Sequence, residues 1–484
     1  LEIAMKKDTK LFPAVFLCLL VFIFASTAAF ATDYYWDVTS GDWSTGANWD
    51  PVGPPTSAAD NVYIYNGGTA NIDADISILY EIDFDSGVIN QSAYSVNVDT
   101  IVIGDTSNMA AEDHIATYNF SGGTLIANEI RTLAATYLFQ RTHESYVNIT
   151  GGNVQTGSLI SAGNGSINIS DGYVQTDKLI SWYGSINISG GTIDVEDEIW
   201  VGYMEENPAG TMSGTITQSG GDIVVNGSMY MSRCYEPGSF NPPVSYPDSQ
   251  GRYYMSGGSL TILGDMTIGD HFSAFYDPFN YNSYAPGELH ITGGQITIGG
   301  DLIIEQGDHS YINDYDETLG NTGSALDIWG DYNNKSQASS DFDLRHTLVT
   351  LYSGEDWDNA PTIFSYTQDK GAVFAGLDDN FAIGNLVFAG NESSSVCYRL
   401  EADVYCYGLA IYEGVTIDLN GYNIYYVPMG SDPYNGVAPE TFLLEGVLVG
   451  GNAIPITGIP EPATIAMIAA GALGLAATLR RRFK

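Results

Sequence analysis

Apolar and polar residues alternate most regularly over residues 289–304, where Leu289 and Ile291, then Ile296 and Ile298, then Leu302 and Ile304 alternate with polar or small neighbours. Two glycine pairs, Gly293-Gly294 and Gly299-Gly300, divide the stretch into three short segments. Period-two alternation predicts strands with one buried face, and paired glycines allow the backbone a sharp corner. One such unit cannot bury its own apolar face, so it must stack on copies of itself.

The copies are present. With the second corner glycine as origin, units centre on Gly123, Gly152, Gly172, Gly191, Gly221, Gly258 and Gly294. Three positions before the origin stand Phe120, Ile149, Ile169, Ile188, Gln218, Met255 and Ile291. Two positions after it stand Leu125, Val154, Val174, Ile193, Ile223, Leu260 and Ile296. The shortest spacings, 20 and 19 residues, fit one coil of a three-stranded solenoid. An antiparallel sandwich would also be glycine-rich, but it does not require columns held in one register. The expected fold is therefore all-β, a parallel β-helix with about three short strands per coil.

This reading divides the chain into six parts. Residues 1–31 form a leader, 32–110 an N-terminal cap with the first strands, and 111–324 the repeat solenoid. Residues 325–445 read as irregular closing coils, 446–459 as a linker and 460–484 as a terminal sorting segment. In the leader, Met5 reads as the start, Lys6, Lys7 and Lys10 as a basic region, and 11–24 as an apolar core. Ala29-Phe30-Ala31 then forms a small-residue cleavage site before Thr32, the pattern of a secretory signal peptide.

Charge narrows the partners. Of 16 Lys and Arg, nine fall between 32 and 459, against 55 of the 58 Asp and Glu. Such a body repels nucleic acid and anionic lipid. The three cysteines past the leader, Cys234, Cys397 and Cys406, have no zinc-site spacing, and a Cys397–Cys406 bridge is not decided by sequence.

Two segments resemble known families. Tyr34-Tyr35-Trp36, Trp43 and Trp49 form an aromatic opening similar to that of secreted bacterial β-solenoids such as autotransporter passenger domains. Its three indoles are expected to roof the first coil, whose open edge would otherwise template aggregation. At the other end come Pro460-Glu461-Pro462, an uncharged, largely apolar run over 463–479, and then Arg480-Arg481-Arg482. That order resembles the PEP-CTERM sorting signal. The resemblance implies a transmembrane helix, an exosortase-type membrane protease as partner, and removal of the tail. It also implies export across the inner membrane of a Gram-negative-type bacterium to the envelope, cell surface or exterior.

Candidate chemistry is sparse. Nucleophile-elbow, zincin and phosphate-loop motifs are absent, and His114, His143, His271, His290, His309 and His346 are scattered. No catalytic residue or cofactor is assigned. Asp308, Asp314, Asp316 and Glu317 are weak calcium candidates, because hard oxygen ligands crowd that loop. Outward positions carry no threonine ladder, so an ice-binding surface ranks low. Insertions enter each repeat after its third strand, near 131–145, 202–214, 232–252, 269–287 and 305–324. They carry Tyr235, Phe240, Tyr246, Phe272, Phe275, Tyr276, Phe279, Tyr281, Tyr284, Tyr311 and Tyr315, an aromatic ridge suited to stacking on sugar rings. The functional expectation is a surface or extracellular-matrix structural or adhesive protein that binds polysaccharide or other surface proteins. Its rival is a polysaccharide lyase or hydrolase on the same fold.

Overall fold

The computed structural model describes residues 31–104, 114–134, 144–202, 212–232, 249–271, 284–285, 287–305, 311–314, 323–336, 342–352, 361–365, 371–373, 376–377, 380–389, 396–427, 443–444 and 446–456. They form a long, mostly parallel sheet wound on itself, as a β-solenoid requires. A central coil shows how the sequence builds it. Along Glu144–Gly163 the chain turns two corners, the first at Gly152 with φ 81°, sending Val147, Ile149, Val154 and Leu159 inward. It pairs in parallel with Gly165–Ser181, with register shifts at the Thr150 corner, and that coil pairs with Ser185–Val201, with a shift between Thr176 and Lys178.

The sequence columns are physical columns. Phe120, Ile149, Ile169, Ile188, Gln218, Met255 and Ile291 stack in that order through consecutive parallel pairings. The column from Leu125 to Ile296 does the same. Every origin glycine has positive φ, as Gly191 does at 82°. A Cβ at Gly191 would also lie 2.9 Å from the carbonyl oxygen of Gly172. The corner therefore needs glycine for both conformation and close approach.

One inward position is polar, and the core has a place for it. Gln218 is fully buried; the Tyr253 hydroxyl donates to its Oε1 at 2.6 Å, and its Nε2 donates to the carbonyls of Gly221 and Ser259. The arrangement recurs lower in the stack, where the Tyr118 hydroxyl donates to Gln91 at 2.6 Å and Gln91 Nε2 donates to the carbonyls of Tyr94 and Thr124. In both places a tyrosine of one coil completes the glutamine of the coil before it, so neither glutamine amide is left unpaired.

The parallel ladder does not lose register after 325. Ile296 continues into Leu326, Val349, Leu386 and Leu409. The sequence hides this because the glycine corner disappears between Leu344 and Leu348, where the register shifts. There the fully buried Asp314 carboxylate organises the turn. It accepts the His346 backbone N–H at 2.6 Å and the Thr347 hydroxyl at 2.8 Å. The stretch read as a linker, 446–459, contributes two strands instead. Val447–Val449 pairs with Val415–Asp418 and Asn452–Pro455 with Asn423–Tyr426. Gly450-Gly451 turns the chain between two short apolar runs, which is the repeat's own grammar in a shorter form.

At the N-terminal end Trp49 lies across Trp36 and Trp43, with ring centroids at 4.8 and 4.7 Å and edge-to-face geometry. Its indole N–H donates to the carbonyl of Trp43 at 2.8 Å. Trp49–Asp50 pairs antiparallel with Asp33–Trp36, covering the edge opposite the strand Asn61–Ile64. Cys406 is a buried free thiol; burial pushes its pKa up. Among the described residues no helix is long and apolar enough to cross a membrane. The run expected to do so, 463–479, lies outside them.

Candidate functional site

A parallel solenoid repeats its corners, so any residue at a corner is copied along the axis at roughly 4.8 Å per coil. The corner after the second strand reads Asn226-Gly227-Ser228, Leu263-Gly264-Asp265, Gly299-Gly300-Asp301 and Trp329-Gly330-Asp331 in four successive coils. Its third residue caps the next coil. Ser228 Oγ accepts the Asp265 N–H at 3.1 Å, Asp265 accepts that of Asp301 at 2.8 Å, and Asp301 accepts that of Asp331 at 2.8 Å. Asp331 then accepts the Thr362 N–H at 2.6 Å. Three carboxylates are thereby stacked in one row. Burial holds the Asp301 carboxyl above the usual range; the charges of Asp331 and Asp265 add to this, against the lowering effect of the Asp331 N–H.

The first residue of the same corner forms a second row, outward in most coils and buried at Ala389. Successive coils place Leu263, Gly299, Trp329, Tyr352, Ala389 and Tyr412 there. Leu263, Trp329 and Tyr412 are exposed, at 56, 46 and 46%. Trp329 and Tyr352 stack face to face, 4.6 Å apart and 12° from parallel. Beside them Asp327 accepts a hydrogen bond from Gln295 Nε2 at 2.8 Å. Burial, then the Asp327 charge, raises the Tyr352 phenol. The sequence reading missed this row because Trp329 and Tyr352 lie past the last glycine-centred repeat.

A third row is the asparagine ladder. The side-chain amide of Asn187 donates to Asn168, Asn168 to Asn148, Asn148 to Asn119, Asn119 to Asn90 and Asn90 to Asn71, all at 2.9–3.0 Å. Asn119, Asn148, Asn168 and Asn187 each stand four positions before a repeat's origin glycine, whereas Asn71 and Asn90 precede the first recognised repeat. From Asn187 the column continues through Thr217 to Tyr254 and His290, whose rings stack at 4.4 Å. This row consumes its own donors and acceptors and leaves little for a ligand.

The residues singled out by sequence are placed as follows. Of the calcium candidates, Asp314 is buried and committed to His346 and Thr347, and burial raises its pKa first of all. Asp308, Asp316 and Glu317 lie outside the described residues, which hold no group of three His, Cys, Asp or Glu fit for a metal. Of the aromatic ridge, Tyr284 and Tyr311 are described in backbone only, and the other nine lie outside the described residues. At the described ends of the 269–287 insertion, Tyr284–Ala285 pairs antiparallel with Asp270–His271. Ala31 and Thr32 lead extended into Asp33–Trp36. Ala29, Pro460, Glu461, Pro462, Arg480, Arg481 and Arg482 lie outside the described residues.

Among the described residues two carboxyls have pKa values raised by burial, Asp301 and Asp314, and both accept backbone N–H groups in corners. A shallow depression lined by Lys178, Glu196, Asp197 and Glu198 has its lysine over the Trp200 ring at 4.7 Å, and Trp200 donates to Glu198 at 2.8 Å.

Residues 458–482 match the PEP-CTERM protein-sorting motif. That motif marks the chain for export to the cell envelope or surface of a Gram-negative bacterium and for processing by an exosortase-type membrane protease. No curated protein and no solved structure matches the chain.

Proposed function

We propose that the protein is a structural or adhesive component of the cell surface or extracellular matrix, its solenoid serving as a long, rigid display body for polysaccharide contact. The observation that carries this is the sorting motif at 458–482, which begins two residues after Ile456, the last core side chain among the described residues. A solenoid coupled so closely to its sorting segment presents repeated outer rows to the exterior. Its corners do structural work, with the pKa-shifted carboxyls capping backbone N–H groups. Its nine basic residues between 32 and 459 are too few to neutralise a polyanionic glycan.

Processing at both ends belongs to this reading. Protein from the surface of its native host is expected to start near Thr32 and to lack Arg480 to Lys484. Intact-mass measurement decides it, and recovery of a full C-terminus on the surface form overturns it. Deleting 460–484 is expected to abolish surface display while leaving the solenoid's melting temperature unchanged.

A further inference from the structure

We propose that the outward corner row centred on Trp329, Tyr352 and Tyr412 binds a polysaccharide that carries amino groups, laid along the solenoid axis. This deepens the surface-protein reading and rests on it. Three observations converge. First, Trp329 and Tyr352 are stacked face to face, so each keeps one outer ring face, directed along the row, and Trp329 remains half exposed despite its size. The side chains on either side of the pair in the row are minimal, Gly299 and Ala389, so no bulky neighbour in the row itself stands over the outer faces. Gly299 is also fixed by backbone crowding, since a Cβ there would lie 2.6 Å from the Leu263 carbonyl oxygen.

Second, the pair is bordered by negative charge. Asp327 stands next to it in the same coil, and the carboxylates of Asp265, Asp301 and Asp331 run parallel to it, two residues further along the same corners. Those four corners contain no Lys or Arg, and Arg399, which enters the same column two coils beyond Asp331, is paired with Asp418 at 3.4 Å. Aromatic faces attract cations as well as the C–H faces of sugar rings, and a half-buried carboxylate row favours a cationic chain over a neutral or acidic one. Third, the row repeats at the coil rise, so a polymer can engage successive coils together and gain by multivalency.

The test uses the full chain in mild detergent with three probes of equal length: a fully deacetylated glucosamine oligosaccharide, its N-acetylated counterpart and an oligogalacturonate. Binding to the amino oligosaccharide and weakening with added salt are expected, with little or no binding of the others. Trp329→Ala and Tyr412→Ala are each expected to weaken it about tenfold. Asp327→Asn, which keeps an acceptor for Gln295, is expected to weaken it severalfold and flatten the salt dependence. Tyr173→Ala, an exposed ring on the same sheet face but five coils nearer the N-terminus than Trp329, is expected to change nothing. Equal binding of the N-acetylated probe, equal binding by Trp329→Ala, or no binding of the amino probe overturns the proposal. The surface-protein reading fails separately, if the native protein is not displayed.

Discussion

Ile193 and Asp194 are neighbours in the chain and opposites in environment. Ile193 is fully buried between Val174 and Ile223, while Asp194 faces outward and accepts the Tyr173 hydroxyl at 3.3 Å. Ile193→Asp places an unpaired charge in the core and is expected to cost more than about 3 kcal/mol. Asp194→Asn keeps an acceptor and is expected to stay within about 0.5 kcal/mol. Paired thermal melts check both, and similar shifts would contradict the register. Inside the core, Tyr253→Phe leaves Gln218 Oε1 without its donor and is expected to cost about 1–3 kcal/mol. Changing both residues together, Tyr253→Phe with Gln218→Met, is expected to recover much of that loss, as a double-mutant cycle by denaturant melts would show. Sequence displayed Gln218 as the polar exception in an apolar column. It did not display the partner, because the hydrogen bond crosses from one coil to the next over 35 residues.

A coil is legible to the extent that its corners are built from glycine. Between Gly123 and Gly294 the inward and outward positions of every repeat could be assigned from spacing, and the pairing registers agree with them. Where a side chain replaces glycine as the corner device, the pattern goes silent. Asp314 holding His346 and Thr347 is one such corner. The carboxylate row is a device of the same kind with a testable signature. Asp301 has a raised folded pKa, so its ionised form costs stability at neutral pH, and that cost disappears as pH falls through the folded value. Asp301→Asn keeps the acceptor for the Asp331 N–H and removes the charge. Its melting temperature is expected to equal or slightly exceed the wild type's at pH 7, by under about 1 kcal/mol. The advantage should shrink toward pH 4, as thermal scans across that range would show. A growing advantage on acidification would contradict the assigned sign.

Over the whole molecule the two ends differ, and the difference follows from what each carries. A solenoid's stability is a sum of neighbouring contacts, and its terminal coils expose unpaired edges that template aggregation. At the N-terminal end the antiparallel segment Trp49–Asp50 lies over the edge of Asp33–Trp36, with the three indoles closing the core beneath it. At the other end, among the described residues, Val447–Val449 and Asn452–Pro455 each pair on one side, and Val447 and Val449 are exposed. The sorting segment follows directly. The tryptophan opening was visible in sequence as an aromatic cluster, but its antiparallel pairing was not, because the repeat pattern contains only parallel contacts. Trp49 is the member that touches both other indoles and donates to the Trp43 carbonyl. Trp49→Ala is expected to cost about 3–5 kcal/mol of local stability and to free the outer edge of Asp33–Trp36. Hydrogen exchange should rise in 33–50 and stay unchanged around 166–195, while light scattering should show concentration-dependent association that wild type lacks. Uniform exchange along the solenoid would mean that the end does not act as a separate, local closure.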